Sequence, residues 1–308
     1  MSGSNGEIAA IEAIRRALPP PPAGETWIGD DAAVVTGPSG EVLLFAADVV
    51  VEGVHFDLEL VDAADVGWKA LAVNVSDIAA MGGRPLHAVV TVVGASASQI
   101  DGLFRGLGEA AAAYECAIVG GDLSCGPCLV VSVAITGTVG DRRAVLRCNA
   151  RPGDVLFVTG PLGRSAAGLR VLRSAQGAAA APGLAAAYRR PVARVAEGQA
   201  ACAGGATAMM DISDGLGIDL DRLATASGVG VALEVVPVAE GATRDEAIAG
   251  GEDYELVFAA RDPAAITGAF QAAGLRPPIR IGVCVADSTL RRVGDEALPA
   301  SGWEHPVR

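Results

Sequence analysis

Aspartate is the residue that recurs in this chain wherever a turn or the end of an apolar run could present chemistry. Asp30 and Asp31 lie in Gly29-Asp30-Asp31-Ala32-Ala33, Asp48 follows an apolar run, and Asp77 sits in a helical pattern. Asp122 follows Gly120-Gly121, and Asp211 and Asp214 belong to Asp211-Ile212-Ser213-Asp214-Gly215. Singly, each is ordinary turn chemistry, bonding its side chain to its own backbone. As a converging set they would repel, at about 4 kcal/mol per pair for charges ~4 Å apart and an effective dielectric of about 20. Such a cluster requires cations, and hard carboxylate oxygens select Mg²⁺ or Ca²⁺ over zinc or copper. Mg²⁺ keeps part of its water shell and is usually completed by substrate phosphates, so the chemistry implied is the handling of a nucleotide.

Rival phosphate devices are missing. There is no G-x-x-x-x-G-K-[ST], and the only lysine, Lys69, falls inside a helical pattern. No G-x-G-x-x-G occurs in a strand-to-helix context. Gly120-Gly121 would let backbone N–H groups approach a phosphate, and Arg147 and Arg151 offer side-chain contacts, although surface arginines are commonplace. Of the three histidines, His55 follows the Asp48 segment and is a candidate substrate contact; His87 reads as structural, and His305 lies in the tail. Glu252 and Asp253, in Gly250-Gly251-Glu252-Asp253-Tyr254-Glu255, precede a strand and could face a site. Cys125-Gly126-Pro127-Cys128 has C-x-x-C spacing, but a redox pair caps a helix after a strand, whereas here a strand follows a Gly/Pro turn. No further ligands at zinc spacing accompany it, so the spacing reads as coincidence.

The elements that must position these residues follow from periodicity. A helix is expected over 7–18, ended by Pro19 to Pro22. Strands are expected over 42–47, 86–93, 117–119 and 129–139, with Asp48 just past the first and Asp122 just past the third. A helix over 62–81, N-capped by Asp62 and closed by Gly82-Gly83, buries Val66, Ala70 and Val73. Asp77 comes next on that face, where the pattern wants an apolar residue and a carboxylate needs a partner. Another helix spans 98–114. Arg151-Pro152-Gly153-Asp154 is turn chemistry and marks the boundary between domains 1–148 and 149–308. Beyond it come a strand over 155–159, an alanine-rich helical region to about 206, a helix introduced by Asp211 to Gly215, and strands near 231–236, 255–260 and 279–285. The order is mixed α/β in both halves, without regular βαβ alternation.

With 308 residues the chain can form two ordinary domains. A net charge of −13 argues against nucleic acid or an anionic membrane as partner. It also makes ATP a ligand the protein would repel unless divalent cations bridge carboxylate to phosphate. No basic, apolar leader opens the chain and no apolar run approaches membrane-spanning length, so a cytoplasmic protein is expected.

Together these motifs resemble the thiamine-monophosphate kinase family of the aminoimidazole-ribonucleotide-synthetase-like superfamily. The segments carrying the likeness are Ile28 to Ala33, Asp48-Val49-Val50-Val51-Glu52-Gly53-Val54-His55-Phe56, Asn74-Val75-Ser76-Asp77, Gly120-Gly121-Asp122, Asp211 to Leu216 and Gly251 to Leu256, in family order. The resemblance implies phosphorylation of thiamine monophosphate by ATP with Mg²⁺, by direct in-line transfer. It implies a two-domain PurM-like fold of α+β type, whose N-terminal mixed sheets pair into a β-barrel in a homodimer, completed by a C-terminal α/β domain. It casts Asp30, Asp48, Asp77, Asp122, Asp211 and Asp214 as metal ligands, and all of these but Asp77 as catalytic. Phe104, Gly121, Asp122, Arg147 and Ser213 would contact ATP; His55, Glu252 and Trp303 would hold the thiamine phosphate. The family usually has Thr or Ser before Asp48; here Ala46 and Ala47 leave only backbone carbonyls for the metal. Alternatives are another superfamily enzyme, such as selenophosphate or aminoimidazole ribonucleotide synthetase, a non-catalytic divalent-metal protein, or a redox protein using Cys125 and Cys128. Selenophosphate synthetase lacks support because the N-terminus carries no reactive cysteine with a lysine, and a hydrogenase-maturation relative would end in cysteine where this chain ends Pro306-Val307-Arg308.

Overall fold

The computed structural model describes residues 6–175 and 177–304. The expectations for the first five residues and for His305 lie outside that range. After α1 (Gly6–Ala17), the first half comprises β1 (Ala33–Thr36), β2 (Val42–Val51), α2 (Ala63–Ala80), β3 (Arg84–Val93), α3 (Ala97–Ala113), β4 (Ala117–Ser124) and β5 (Val130–Thr138). Its sheet runs β1-β2-β5-β3-β4, with β3 and β4 parallel and the other neighbours antiparallel.

The second half begins with β6 (Val155–Val158), α4 (Arg164–Arg173), a 3₁₀ turn (Gly177–Ala180), α5 (Pro182–Arg189), α6 (Val195–Ala203) and β7 (Ala206–Asp211). It continues with α7 (Leu216–Ser227), β8 (Gly230–Leu233), α8 (Arg244–Ala249), β9 (Leu256–Ala260), α9 (Pro263–Ala272), β10 (Ile279–Val285), β11 (Arg291–Val293) and β12 (Glu296–Ala297). This sheet runs β12-β11-β8-β10-β6-β9-β7 and is also mixed, with only β8 and β11 parallel. The result is a two-domain α/β fold built on two mixed sheets. Neither sheet closes into a barrel among the described residues. No described helix is long and apolar enough to cross a membrane.

Several elements differ from the periodicity reading. β2 continues through Asp48 because its pairing with β5 extends to Val51 opposite Val130. β4 continues through Gly120, Gly121 and Asp122 because β3 pairs with it to Ser124, after a register shift at Ala88/Val89. A Cβ on Gly121 would lie 1.8 Å from the Val90 carbonyl oxygen, so glycine is what lets the two strands approach there. The helical expectation to 206 stops short of β7, a short apolar strand that periodicity cannot separate from a buried helix.

α2 also departs from a one-sided amphipathic helix. Its N-cap is as expected, Asp62 accepting from the Asp65 backbone N–H at 2.8 Å, and Gly82 follows its end at φ +73°. Yet Lys69, Asn74 and Ser76 are buried along with Val66, Ala70 and Val73. The helix is enclosed by α3, β2, β3 and β5 on its own side and by α5, α6 and β7 of the second half. Leu71, Ile78, Val90 and Val133 share one core with Leu172, Ala185 and Tyr188. Helices of the second half thus help bury the first, and α2 is the pillar between them.

Candidate active site

Three carboxylates meet where the last turns of α2 reach the end of β7. One oxygen each from Asp31, Asp77 and Asp211 lies within 4.8 Å of the others. Asp31 comes from the turn before β1, Asp77 from α2, and Asp211 is the last residue of β7. Burial comes first, then Asp48, Asp211 and Asp31, in pushing Asp77 well above the usual carboxylate range. Burial and then Asp31 do the same to Asp211, against the hydrogen bond it accepts from the Ser76 hydroxyl at 2.6 Å. Asp31 is also raised by burial, opposed by Arg147. Its Oδ2 is buried without a hydrogen-bond partner. An orphaned anionic oxygen among converging carboxylates is a site that a hard cation fits, since only positive charge relieves both costs.

Asp48 is exposed at the rim of this cluster, its backbone N–H donating to Asn74 Oδ1 at 2.8 Å. α2 therefore positions several groups at once: Asn74 holds Asp48, Ser76 holds Asp211, and Asp77 enters the cluster itself. Asp30 turns aside from its neighbour and accepts the Arg147 backbone N–H at 3.1 Å. Its acidity is weakened, to about 6, by burial and by Asp31. The Arg147 guanidinium pairs with Asp31 and lies 3.5 Å from Asp30. Ala46 and Ala47 lie on β2 just past Phe45, where the pairing with β1 stops.

A second carboxylate group forms at the start of α7. Asp219 is fully buried and its Oδ2 accepts the backbone N–H groups of Asp214 and Gly215 at 2.9 and 3.0 Å. Arg222 bridges Asp214 at 2.5 Å and Asp219 at 2.9 Å. Burial, then Asp214, raises Asp219 to about 7. The Trp303 backbone N–H donates to the Asp214 carbonyl at 3.0 Å, and Glu252 N–H donates to the Ser213 carbonyl at 2.7 Å. Asp211-Ile212-Ser213-Asp214 thereby carries both Trp303 and the Glu252 loop.

Glu252 and His55 meet at Lys69. The ammonium donates to both Glu252 oxygens at 3.0 Å and to the His55 carbonyl at 3.2 Å. His55 Nδ1 accepts the Val51 backbone N–H at 3.1 Å, and its own backbone N–H donates to the Val51 carbonyl at 2.9 Å, closing a turn at the end of β2. Thus Asp31, Asp77 and Asp211 form one centre with Asp48 beside it, while His55, Glu252 and Trp303 gather on the segments around Lys69 and Ser213. Phe104 and Asp122 stand apart. Phe104 is exposed on α3, away from the Leu103 and Leu107 stripe that packs on α2. Asp122 is exposed on the edge strand β4 and, among the described residues, makes no side-chain hydrogen bond or ion pair. Cys125 and Cys128 are free thiols in the loop between β4 and β5.

Asp31 stood with Asp30 in the aspartate set but the resemblance cast only Asp30 as a ligand, because the two are indistinguishable as letters and only the turn decides which carboxylate points inward. Asp219 and Arg222 were missed because i, i+3 pairing on a helix is ordinary. Lys69 did leave a signal, as a lone lysine in an otherwise apolar helix.

Two family models match the chain: the AIR synthase related protein N-terminal domain over residues 29–139 and the corresponding C-terminal domain over 151–295. The thiamine-monophosphate kinase of Bacillus subtilis is 37% identical over 248 residues, covering 75% of this chain and 76% of that protein. A solved structure of AaThiL complexed with AMPPCP and TMP superposes with a TM-score of 0.86 at 32% identity, covering 99% of each chain. That of the thiamine-monophosphate kinase from Stenotrophomonas maltophilia gives 0.76 at 35% identity, over 94% of this chain and 96% of the other. By both domain matches and by identity over three quarters of its length, this chain belongs to the thiamine-monophosphate kinase family, among the AIR synthase related proteins.

Proposed function

We propose that this protein transfers a phosphoryl group from ATP to thiamine monophosphate, giving thiamine diphosphate, with Mg²⁺ as its metal. The observation that carries the reading is the convergence of the half-buried Asp31 and Asp77 and the buried Asp211 around an orphaned Asp31 oxygen, in a chain of this family. Asp31, Asp77 and Asp211, with Asp48 at the rim, would hold metal; Asp30, Asp122, Asp214 and the Ala46 and Ala47 carbonyls are the further ligands the motifs nominate. Bound there, Mg²⁺ would neutralise charge on the carboxylates and on the phosphates of ATP. Arg147, fixed by Asp31, would offer ATP a placed cation, with Gly121 and Ser213 beside the phosphates and Phe104 a further contact.

The chain's own task is then positioning. A phosphate monoester is already an anion at neutral pH, its second pKa being about 6, so the acceptor needs no general base. His55, Glu252 and Trp303 would hold the thiamine phosphate while α2 and the Asp211 segment fix the opposite side, which favours in-line transfer without a covalent enzyme intermediate. Residues 1–148 would supply ATP and metal binding, and residues 149–308 would complete the site. A homodimer through the first sheet is supported by Phe45, Val49 and Val89, apolar yet each more than 40% exposed on its open face.

Incubation with ATP, Mg²⁺ and thiamine monophosphate, with chromatography of the products, tests the function; thiamine diphosphate and ADP are expected in equal amounts. Turnover of unphosphorylated thiamine but not its phosphate would overturn the acceptor. Label from ATP retained on the protein without acceptor would overturn direct transfer.

A further inference from the structure

Lys69 has a setting that charge neutralisation by itself does not explain. It is 1% exposed, and its three ammonium protons meet three acceptors: both Glu252 oxygens and the His55 carbonyl. The Tyr188 ring centroid lies 4.1 Å from the same nitrogen. Buried ion pairs rarely stabilise more than apolar residues of the same shape, so a core pair across two halves of a protein points to a demand for orientation. Backbone geometry shows that demand. Glu252 and Tyr254 both adopt left-handed conformations, φ 66° and 51°, which non-glycine residues populate only when their surroundings enforce it.

The loop is pinned on either side of Glu252. Asp253 accepts the Gly163 and Ser165 backbone N–H groups at 2.5 and 3.0 Å, and the backbones of Glu252 and Tyr254 bond to Ser213 and Ile212. Lys69 holds the remaining degree of freedom, the Glu252 side chain. The pair is also directional. Lys69's side chain is 2% exposed and Glu252's 23%, so the negative end lies toward the opening and the positive end is anchored in the core.

We infer that Lys69 is a positioning residue, which orients the Glu252 carboxylate as the outward, negative end of an anchored ion pair that receives the cationic thiazolium portion of the acceptor. The inference rests on the thiamine monophosphate reading of the site. Each Glu252 oxygen keeps lone-pair capacity beyond the bond from Lys69, so the carboxylate remains an acceptor for the substrate. An unanchored glutamate would place the same charge over many rotamers and lose the benefit of preorganisation.

Steady-state kinetics and thermal melting of Lys69→Met, Lys69→Arg and Lys69→Met/Glu252→Gln separate this role from mere structural support. Lys69→Met should raise KM for thiamine monophosphate roughly tenfold, a loss on the scale of one ordinary binding contact, with KM for ATP within about twofold of wild type on the same energy scale. The double variant, which buries no unpaired charge, should recover the melting temperature without recovering KM. Lys69→Arg keeps the charge and leaves no buried carboxylate unpaired, but its larger guanidinium overfills a site that is 1% exposed, so it should push the Glu252 carboxylate out of place and raise KM for thiamine monophosphate here too. A folded Lys69→Met or Lys69→Arg with unchanged KM for thiamine monophosphate would overturn the inference, as would recovery of KM together with stability in the double variant. Failure of the wild type to use thiamine monophosphate at all would overturn the function instead.

Discussion

At the residue scale, the site is a set of carboxylates kept in an unfavourable electrostatic state. Asp30, Asp31, Asp77, Asp211 and Asp219 are all raised, with burial the leading cause in each. Raised acids bind more protons folded than unfolded between about pH 4 and their folded values. Their stabilising contribution is complete below about pH 4 and is lost as pH rises through 6 to 7, the values reached by Asp30 and Asp219. Metal-free protein should therefore melt at progressively lower temperature between about pH 5 and 8. Mg²⁺ should flatten that dependence by supplying the missing charge. Asp77→Asn tests the cause directly. It should raise the metal-free melting temperature at pH 8 by ~2–4 °C for each kcal/mol of repulsion relieved. The same change should shrink the Mg²⁺-induced rise and lower turnover by at least the ~10–100-fold typical of residues that orient metal ligands. Calorimetry with EDTA or Mg²⁺, beside the product assay, reads both signs.

At the element scale, α2 decides where the site can be. Asn74, Ser76 and Asp77 occupy its last turns and Lys69 its middle, so a small displacement of this helix moves both the carboxylate cluster and the Glu252 contact. Its position is set by close approach to α3. A Cβ on Gly67 would lie 2.0 Å from the Leu103 carbonyl oxygen, and one on Gly106 would lie 1.8 Å from that of Ala64. Gly106→Ala sets two effects against each other. Helix propensity favours alanine by about 1 kcal/mol, while overpacking against backbone costs about 1–3 kcal/mol. The steric effect should win, because carbonyl oxygens on a buried helix cannot step aside as a side-chain tip can. Urea denaturation should show net destabilisation, accompanied by reduced turnover from the shifted α2. A more stable variant would show that the helices part without strain.

At the scale of the whole molecule, the first sheet packs one face on α2 and α3 and leaves the other open. Phe45, Val49 and Val89 stand on that open face, at 45%, 43% and 45% exposure, in a protein whose net charge of −13 otherwise favours separation. A second copy would cover this surface, and light scattering should read twice the chain mass. Val89→Asp places charge in the middle of the face and should give a folded monomer; an unchanged dimer would locate the contact elsewhere.

The sequence alone was enough to identify the family, because each motif pairs aspartate with glycine or an element end, and their order along the chain survives without any structure. It also carried the main helices and strands, since periodicity records which side chains are buried. Tertiary structure decided the rest. Which of Asp30 and Asp31 turns inward depends on Arg147, more than a hundred residues away. Whether Asp48 and Asp122 end a strand or belong to one depends on how far β5 and β3 continue to pair. The meaning of Lys69 depends on Glu252 arriving from the other half of the chain. Local pattern fixes what a residue can do, but a buried charge takes its role from its partner, and that partner is set by the packing of the two halves.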